Sequence, residues 1–310
     1  MKLRVAATFA LVACACLLAT ACGGSGNSDE NGLSGRIEAD GSSTVGPLTS
    51  YAAEAFQKLH SRVQVTVGIS GTGGGFERFC SGETDLSNAS RPIEADEEAA
   101  CRKAGIEYVE LQVANDALSV VVNTGNDWAA CLTVEQLKQI WAPGSKIERW
   151  KELDASFPDD DLVLFGPGTD SGTFDFFTKE VVGDEGASRS DYQASENDNV
   201  LVNGVKGQKG ALGYFGFSYY DQNRSGLKAL AIDSGGGCVE PSVETAQDGT
   251  YTPLSRPLLV YAKRTAFERP EVQAFLRYLV DESRAIAAAT LFVPLTDEQL
   301  TAARKRLEDA

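Results

Sequence analysis

Three short stretches of the chain combine glycine with hydroxyl side chains in a way that suits an anion. They are Gly41-Ser42-Ser43-Thr44-Val45-Gly46, Ser70-Gly71-Thr72-Gly73-Gly74-Gly75 and Gly168-Thr169-Asp170-Ser171-Gly172-Thr173. Each follows an expected strand and opens an expected helix. The unpaired N–H groups and positive dipole end of a helix N-terminus favour negative charge. Glycine lets the backbone approach closely, and hydroxyls add donors. A single loop of this kind is better explained by helix capping, because Ser and Thr are favoured there. Three of them, divided between two halves of the chain, point to a binding site. None is a nucleotide motif, since neither G-x-x-x-x-G-K-[ST] nor a G-x-G-x-x-G after a strand occurs.

Catalytic chemistry finds little support. His60 is the only histidine, which removes most Ser-His-Asp, Cys-His and His-rich metal arrangements. The loop 168–173 is not the G-x-S-x-G of a nucleophile elbow. A hydrolase built on Ser171 and Asp170 would lack a histidine base, a suitably placed lysine and a metal cluster. No catalytic residue, metal or cofactor is therefore expected.

The elements that must position these loops alternate. Arg36–Ala39 is a short strand, and Leu48, Tyr51, Ala52, Ala55, Phe56 and Leu59 recur at helix spacing from Pro47 to Leu59. Arg62–Ile69 alternates like a strand, and Phe76, Phe79 and Cys80 open a second helix. Asp85–Ser90, Val109–Leu111 and Leu118–Asn123 are further strands. A second unit of the same kind lies between Cys131 and Cys238, with a strand at Leu162–Phe165, a helix at Phe174–Val182, a helix at Val200–Lys209 and a strand at Ala211–Phe215. Leu258–Tyr261 is an apolar strand, and Pro270–Ala289 is expected as one long helix. The pattern implies two closely packed α/β lobes around mostly parallel sheets, with the chain crossing between them more than once.

Lys2 and Arg4 precede an apolar run, Val5–Ala21, that ends in small residues before Cys22. This has the form of a lipoprotein signal peptide over 1–21, with Cys22 as the lipidated residue and 22–34 as a flexible tether. The expected location is the outer face of the cytoplasmic membrane, held by a lipid anchor. The chain carries a formal charge of −16, and losing Lys2 and Arg4 takes it to about −18. Attraction to nucleic acid is thereby excluded. Cys80, Cys101, Cys131 and Cys238 remain in the folded body, enough for two disulfides in three pairings. Cys80–Cys101 with Cys131–Cys238 is the expected set, one in each lobe.

Gly41–Val45, Ser70–Gly74, Asp85-Leu86-Ser87-Asn88-Ala89-Ser90-Arg91-Pro92, Asp170–Phe174, Gly210–Tyr214 and Pro257–Tyr261 occur in this order. Together they resemble the phosphate-binding lipoproteins that feed the phosphate-specific ABC importer, over nearly all of 36–310. The resemblance implies an α/β, two-lobed periplasmic-binding-protein fold of type II with the ligand cleft between the lobes. It implies a site in which Ser43, Thr44 and Val45, then Thr72, Ser90 and finally Ser171, Gly172 and Thr173 hold dehydrated phosphate. Many relatives carry an Arg where this chain has Pro167, so Arg91 is expected to supply the charge through its planar fork. Asp116 stands where relatives often have an Asp, and is expected to accept the proton of phosphate.

The lobes are expected at 35–118 with 256–310, and at 119–255, hinged near 117–123 and 253–259. The expected activity is capture of inorganic phosphate by a monomer and delivery to a membrane permease. Another tetrahedral oxyanion such as sulfate, and a signalling or adhesive lipoprotein of the same fold, are the alternatives.

Overall fold

The computed structural model describes residues 32–310. The expected signal peptide, the lipidation at Cys22 and most of the tether lie outside the described residues.

Among the described residues, twelve strands form two sheets. They are β1 (Ser34–Gly41), β2 (Arg62–Val67), β3 (Leu86–Ala89), β4 (Tyr108–Asn123), β5 (Cys131–Thr133) and β6 (Val163–Gly166), followed by β7 (Gln193–Ala194), β8 (Ala211–Gly216), β9 (Leu227–Ala229), β10 (Ala231–Asp233), β11 (Cys238–Val239) and β12 (Ser255–Lys263). Nine of them share one sheet in the order β2-β1-β3-β12-β4-β8-β6-β7, with β9 beside β4. Its two ends are parallel, with β1 flanked by β2 and β3, and β6 flanked by β7 and β8. Its middle is antiparallel, because β4 and β12 carry the chain between the two halves in opposite directions. The sheet is thus mixed, where mostly parallel sheets were expected.

The two short strands expected at Val109–Leu111 and Leu118–Asn123 are one 16-residue strand, β4. Its residues pair with β12 up to Ala117 and with β8 from Leu118 onward. Val113 to Val122 are all buried, as in a strand covered on both faces. The hydrophobic core changes at the same place. Ile37, Phe56, Leu111, Ala114, Leu258 and Phe275 belong to a first core, with Phe76, Phe79 and Tyr261 on the sheet's other face. Ala117, Leu118, Trp141, Phe177, Tyr214 and Leu254 belong to a second core, with Val121, Phe165 and Val205 opposite. The architecture is two α/β lobes on a shared sheet.

Helix α1 (Val45–Leu59) begins two residues earlier than expected and buries Leu48, Ala52 and Phe56. Helix α2 (Gly71–Cys80) buries Phe76 and Phe79, and α3 (Ala95–Lys103) opens with a capping box between Glu94 and Glu97. The single helix expected over Pro270–Ala289 is two, Pro270–Asp281 and Ser283–Ala289, because Glu282 leaves helical geometry at φ −93° and ψ 6°. Both expected disulfides are present. Cys80–Cys101 ties the end of α2 to α3, and Cys131–Cys238 ties the outer strands of the small sheet, β5 and β11, which flank β10.

Candidate anion-binding cleft

All three glycine-hydroxyl loops lie at the carboxyl ends of strands, the place where ligands of α/β sheets bind. The first leaves β1 and opens α1. The second leaves β2 and opens α2. The third leaves β6 and opens the helix Gly172–Phe177. A cavity of about 690 Å³ brings them together, and its wall includes Ser43, Thr44, Thr72, Ser90, Arg91 and Gly172. The first and third loops touch across it. A Cβ on Gly172 would stand 2.6 Å from Thr44 Oγ1 and 2.8 Å from Ser43 Oγ, so a larger residue there would displace both hydroxyls.

The donors differ in how free they are. Ser42 Oγ accepts from the amides of Thr44 at 3.2 Å and Val45 at 3.4 Å, at the long end for a hydrogen bond. Ser171 Oγ accepts from the amide of Thr173 at 3.2 Å. Thr72 Oγ1 lies 3.1 Å from Ser90 Oγ and accepts from the Ser90 amide at 3.3 Å, which joins the second loop to the end of β3. Val45, Ser171, Thr173 and Asp116 do not line the cavity.

The charges are arranged differently from expectation. Arg91 faces the cavity, but Glu97 takes its fork at 2.7 and 2.8 Å, Glu94 takes Nε at 3.1 Å and the Pro92 carbonyl takes a further N–H. Most of its five donors are engaged within its own lobe. Glu97 first of all raises its pKa. Asp116, expected to meet the ligand, instead accepts from Arg256 Nε at 3.1 Å.

Arg256 is the cation that inspection of the sequence missed. It lines the cavity, its side chain is 11% exposed, and it reaches both sides of the cleft. Its Nη2 donates to Thr44 Oγ1 at 2.9 Å and to the Gly172 carbonyl at 3.4 Å. Its guanidinium lies 3.7 Å from the centre of the Phe176 ring, a cation–π contact. Burial pushes its pKa down and Asp116 opposes this; an arginine remains charged under such a shift. The available signal was its position, one residue before the apolar run Pro257–Tyr261, where a charge entering a buried strand needs a partner.

Four carboxylates also line the wall: Glu94, Asp175, Glu180 and Glu185. Burial and then Glu185 raise the pKa of Asp175 from its ordinary value, with Arg256 acting the other way. Lys179 approaches Glu94 to 4.0 Å from the opposite lobe.

Residues 26–283 match the PBP superfamily domain. The chain is 46% identical over 272 residues to Protein SphX of Synechococcus elongatus, covering 87% of this chain and 80% of that protein. It is 39% identical over 299 residues to the phosphate-binding protein PstS of Staphylococcus saprophyticus, covering 95% of this chain and 91% of the other. Among solved structures, one described as a possible phosphate binding protein from Planctomyces limnophilus superposes with a TM-score of 0.86 at 45% identity, over 89% of this chain and 99% of that one.

Proposed function

Because this chain belongs to the phosphate-binding protein family of the PBP superfamily, we propose that it captures inorganic phosphate in the cleft and passes it to an ABC importer. The observation that carries this reading is Arg256. It is a shielded guanidinium, fixed by Asp116, that touches a hydroxyl of the first loop and a carbonyl of the third. Its Nη1 group, which none of these partners takes, is left to donate to an oxyanion. Ser43, Thr44, Thr72 and Ser90, with the Gly172 backbone, line the cavity around it and supply neutral donors. Arg91 supplies little contact or net charge, since Glu94 and Glu97 hold its donors and offset its charge.

The proton acceptor is assigned to Asp175, which faces the cavity, in place of Asp116. The lobes are taken as 35–118 with 256–310, and 119–255, with hinges near 117–123 and 253–259. The handover of β4 from β12 to β8 at Ala117/Leu118 supports this division. Donors from both lobes surround one ligand, so binding favours the closed form. The protein works as a monomer without turnover, anchored through lipid on Cys22 at the outer face of the cytoplasmic membrane. Among the described residues no helix is long and apolar enough to cross a membrane.

Native mass spectrometry of the purified protein, followed by calorimetric titration with phosphate and sulfate, tests the reading. One bound phosphate and a clear preference over sulfate are expected. A protein that takes up neither anion would overturn it.

A further inference from the structure

Asp40 ends in the root of the first loop and belongs to none of the ligand contacts above. It is 2% exposed. Oδ1 accepts from Ser70 Oγ at 2.6 Å, and Oδ2 is paired with Arg78. Ser70 is the N-cap residue of α2, and Arg78 lies in the helix's last turn. Side chains on a helix lean toward its N-terminus, which brings Arg78 back to the same carboxylate. Asp40 therefore grips α2 from both ends. The space around it is shaped to match: a Cβ on Gly68 would lie 2.4 Å from Oδ2, and one on Gly75 would lie 2.5 Å from the Gly41 Cα.

A serine at an N-cap ordinarily turns its Oγ toward the amides of the first turn. Ser171 does this for the helix Gly172–Phe177. Ser70 does not, and α2 has no side-chain cap bond. Its hydroxyl is drawn away to Asp40. The first turn of α2 carries Thr72 and Gly73, both on the cavity wall, and the first amides of a helix have no partner within it. We infer that Asp40 is a positioning residue that keeps Ser70 from capping α2, and so reserves the amides of that first turn for the bound anion. The inference rests on the phosphate reading for the identity of the anion. Arg78 balances the charge that a bare carboxylate would otherwise set beneath an anion site.

Electrostatics alone and this inference predict opposite signs. Removing a negative charge with Asp40→Asn would tighten phosphate binding by simple repulsion. If Ser70 is released to cap the helix, binding weakens by about fivefold, the ordinary strength of an N-cap. In the Asp40→Asn/Ser70→Ala double variant no hydroxyl remains to compete, and the affinity returns to that of the Ser70→Ala single variant. Calorimetric titration with inorganic phosphate reads this, and a misfolded protein would not be rescued by the second change. Hydrogen exchange of the phosphate-free protein over 71–76 reads the cap directly: slower in Asp40→Asn, restored in the double variant. That arm stands even if no phosphate binds, which separates the two readings. Unchanged or tighter binding in Asp40→Asn, or a double variant as weak as Asp40→Asn alone, would overturn the inference.

Discussion

Asp116 and Arg256 stand opposite each other in the antiparallel register of β4 and β12, joined at 3.1 Å with side chains 8% and 11% exposed. The pair sits one residue before Ala117, where β4 leaves β12 for β8. This buried cation of the cleft is therefore fixed at the point where the chain passes from one lobe to the other. Its remaining N–H groups can report on both sides of the cleft at once, through Thr44 and Gly172.

Arg256→Lys keeps a positive charge beside Asp116 but removes the planar fork. Phosphate affinity is expected to fall by about 10–100-fold, matching the roughly 1.5–3 kcal/mol of hydrogen bonds to charged groups. Arg91→Gln should cost no more than about fivefold, the scale of a weak ion pair, because Glu94 and Glu97 already hold its donors. Calorimetry on both variants decides between them. A larger loss from Arg91→Gln would return the anion's charge to Arg91.

The contrast between these two arginines shows what the sequence made legible. The three loops could be read because one such stretch can be ordinary capping but three, in both halves of the chain, are not. The disulfides could be read because only four cysteines remain after the leader. Arg256 could not, because its partner Asp116 lies 140 residues away and only strand register unites them. Arg91 looked free because the role of Glu97, six residues on, depends on how α3 turns back toward it. The break at Glu282 also has no sequence mark, since Asp281-Glu282-Ser283 contains neither Gly nor Pro.

Cys22→Ser is expected to release the protein from the membrane. The signal-like run ending at Ala21 motivates this, and a single modified cysteine would carry the whole anchor. Fractionation of cells expressing the variant checks it. Retention equal to wild type would argue for another attachment.

The two disulfides should contribute unequally. They close spans of 21 and 107 residues. Chain entropy assigns about 3 kcal/mol to the shorter loop and about 4–5 to the longer. The Cys131→Ser/Cys238→Ser pair should therefore lower the urea midpoint further than Cys80→Ser/Cys101→Ser. The reverse order would show that native-state packing at α2 and α3 outweighs loop length.

Stability should fall as pH rises from about 4 to about 6 through Asp198. Burial, then Glu196, pushes its carboxyl up to about 6 in the fold. Across that window the folded protein holds a proton that the unfolded chain has released, so deprotonation costs stability as pH climbs. Asp198→Asn is expected to raise the melting temperature at pH 7.5 and to flatten the decline between pH 4 and 6. Parallel melting curves for the two proteins across that range would assign the decline to another group.

Selectivity should reside in Asp175. It lines the cavity near the start of the helix opened by Gly172, close enough to Arg256 to feel its charge. Phosphate near neutral pH carries a proton and sulfate carries none. An ionised carboxylate can accept that proton as a hydrogen bond, whereas against sulfate it faces only lone pairs. Sites that hydrogen-bond a particular group can reject an analogue lacking it by about 10⁴–10⁵. Burial and Glu185 raise the pKa of Asp175, so acidification protonates it earlier than an exposed carboxyl. A protonated Asp175 donates, and sulfate then meets a partner in place of a repelling charge. Sulfate affinity in the wild type should accordingly rise as pH is lowered. Asp175→Asn should bind sulfate better at every pH and lose that dependence, because its amide can turn an N–H toward the anion without titrating. The phosphate-to-sulfate ratio of the variant should narrow by at least tenfold, about 1.4 kcal/mol. Titrations of both anions into both proteins at pH 5 and pH 8 measure these affinities and their ratios. A ratio unchanged by Asp175→Asn would move the acceptor to Glu180 or Glu185, the neighbouring carboxylates of the same wall.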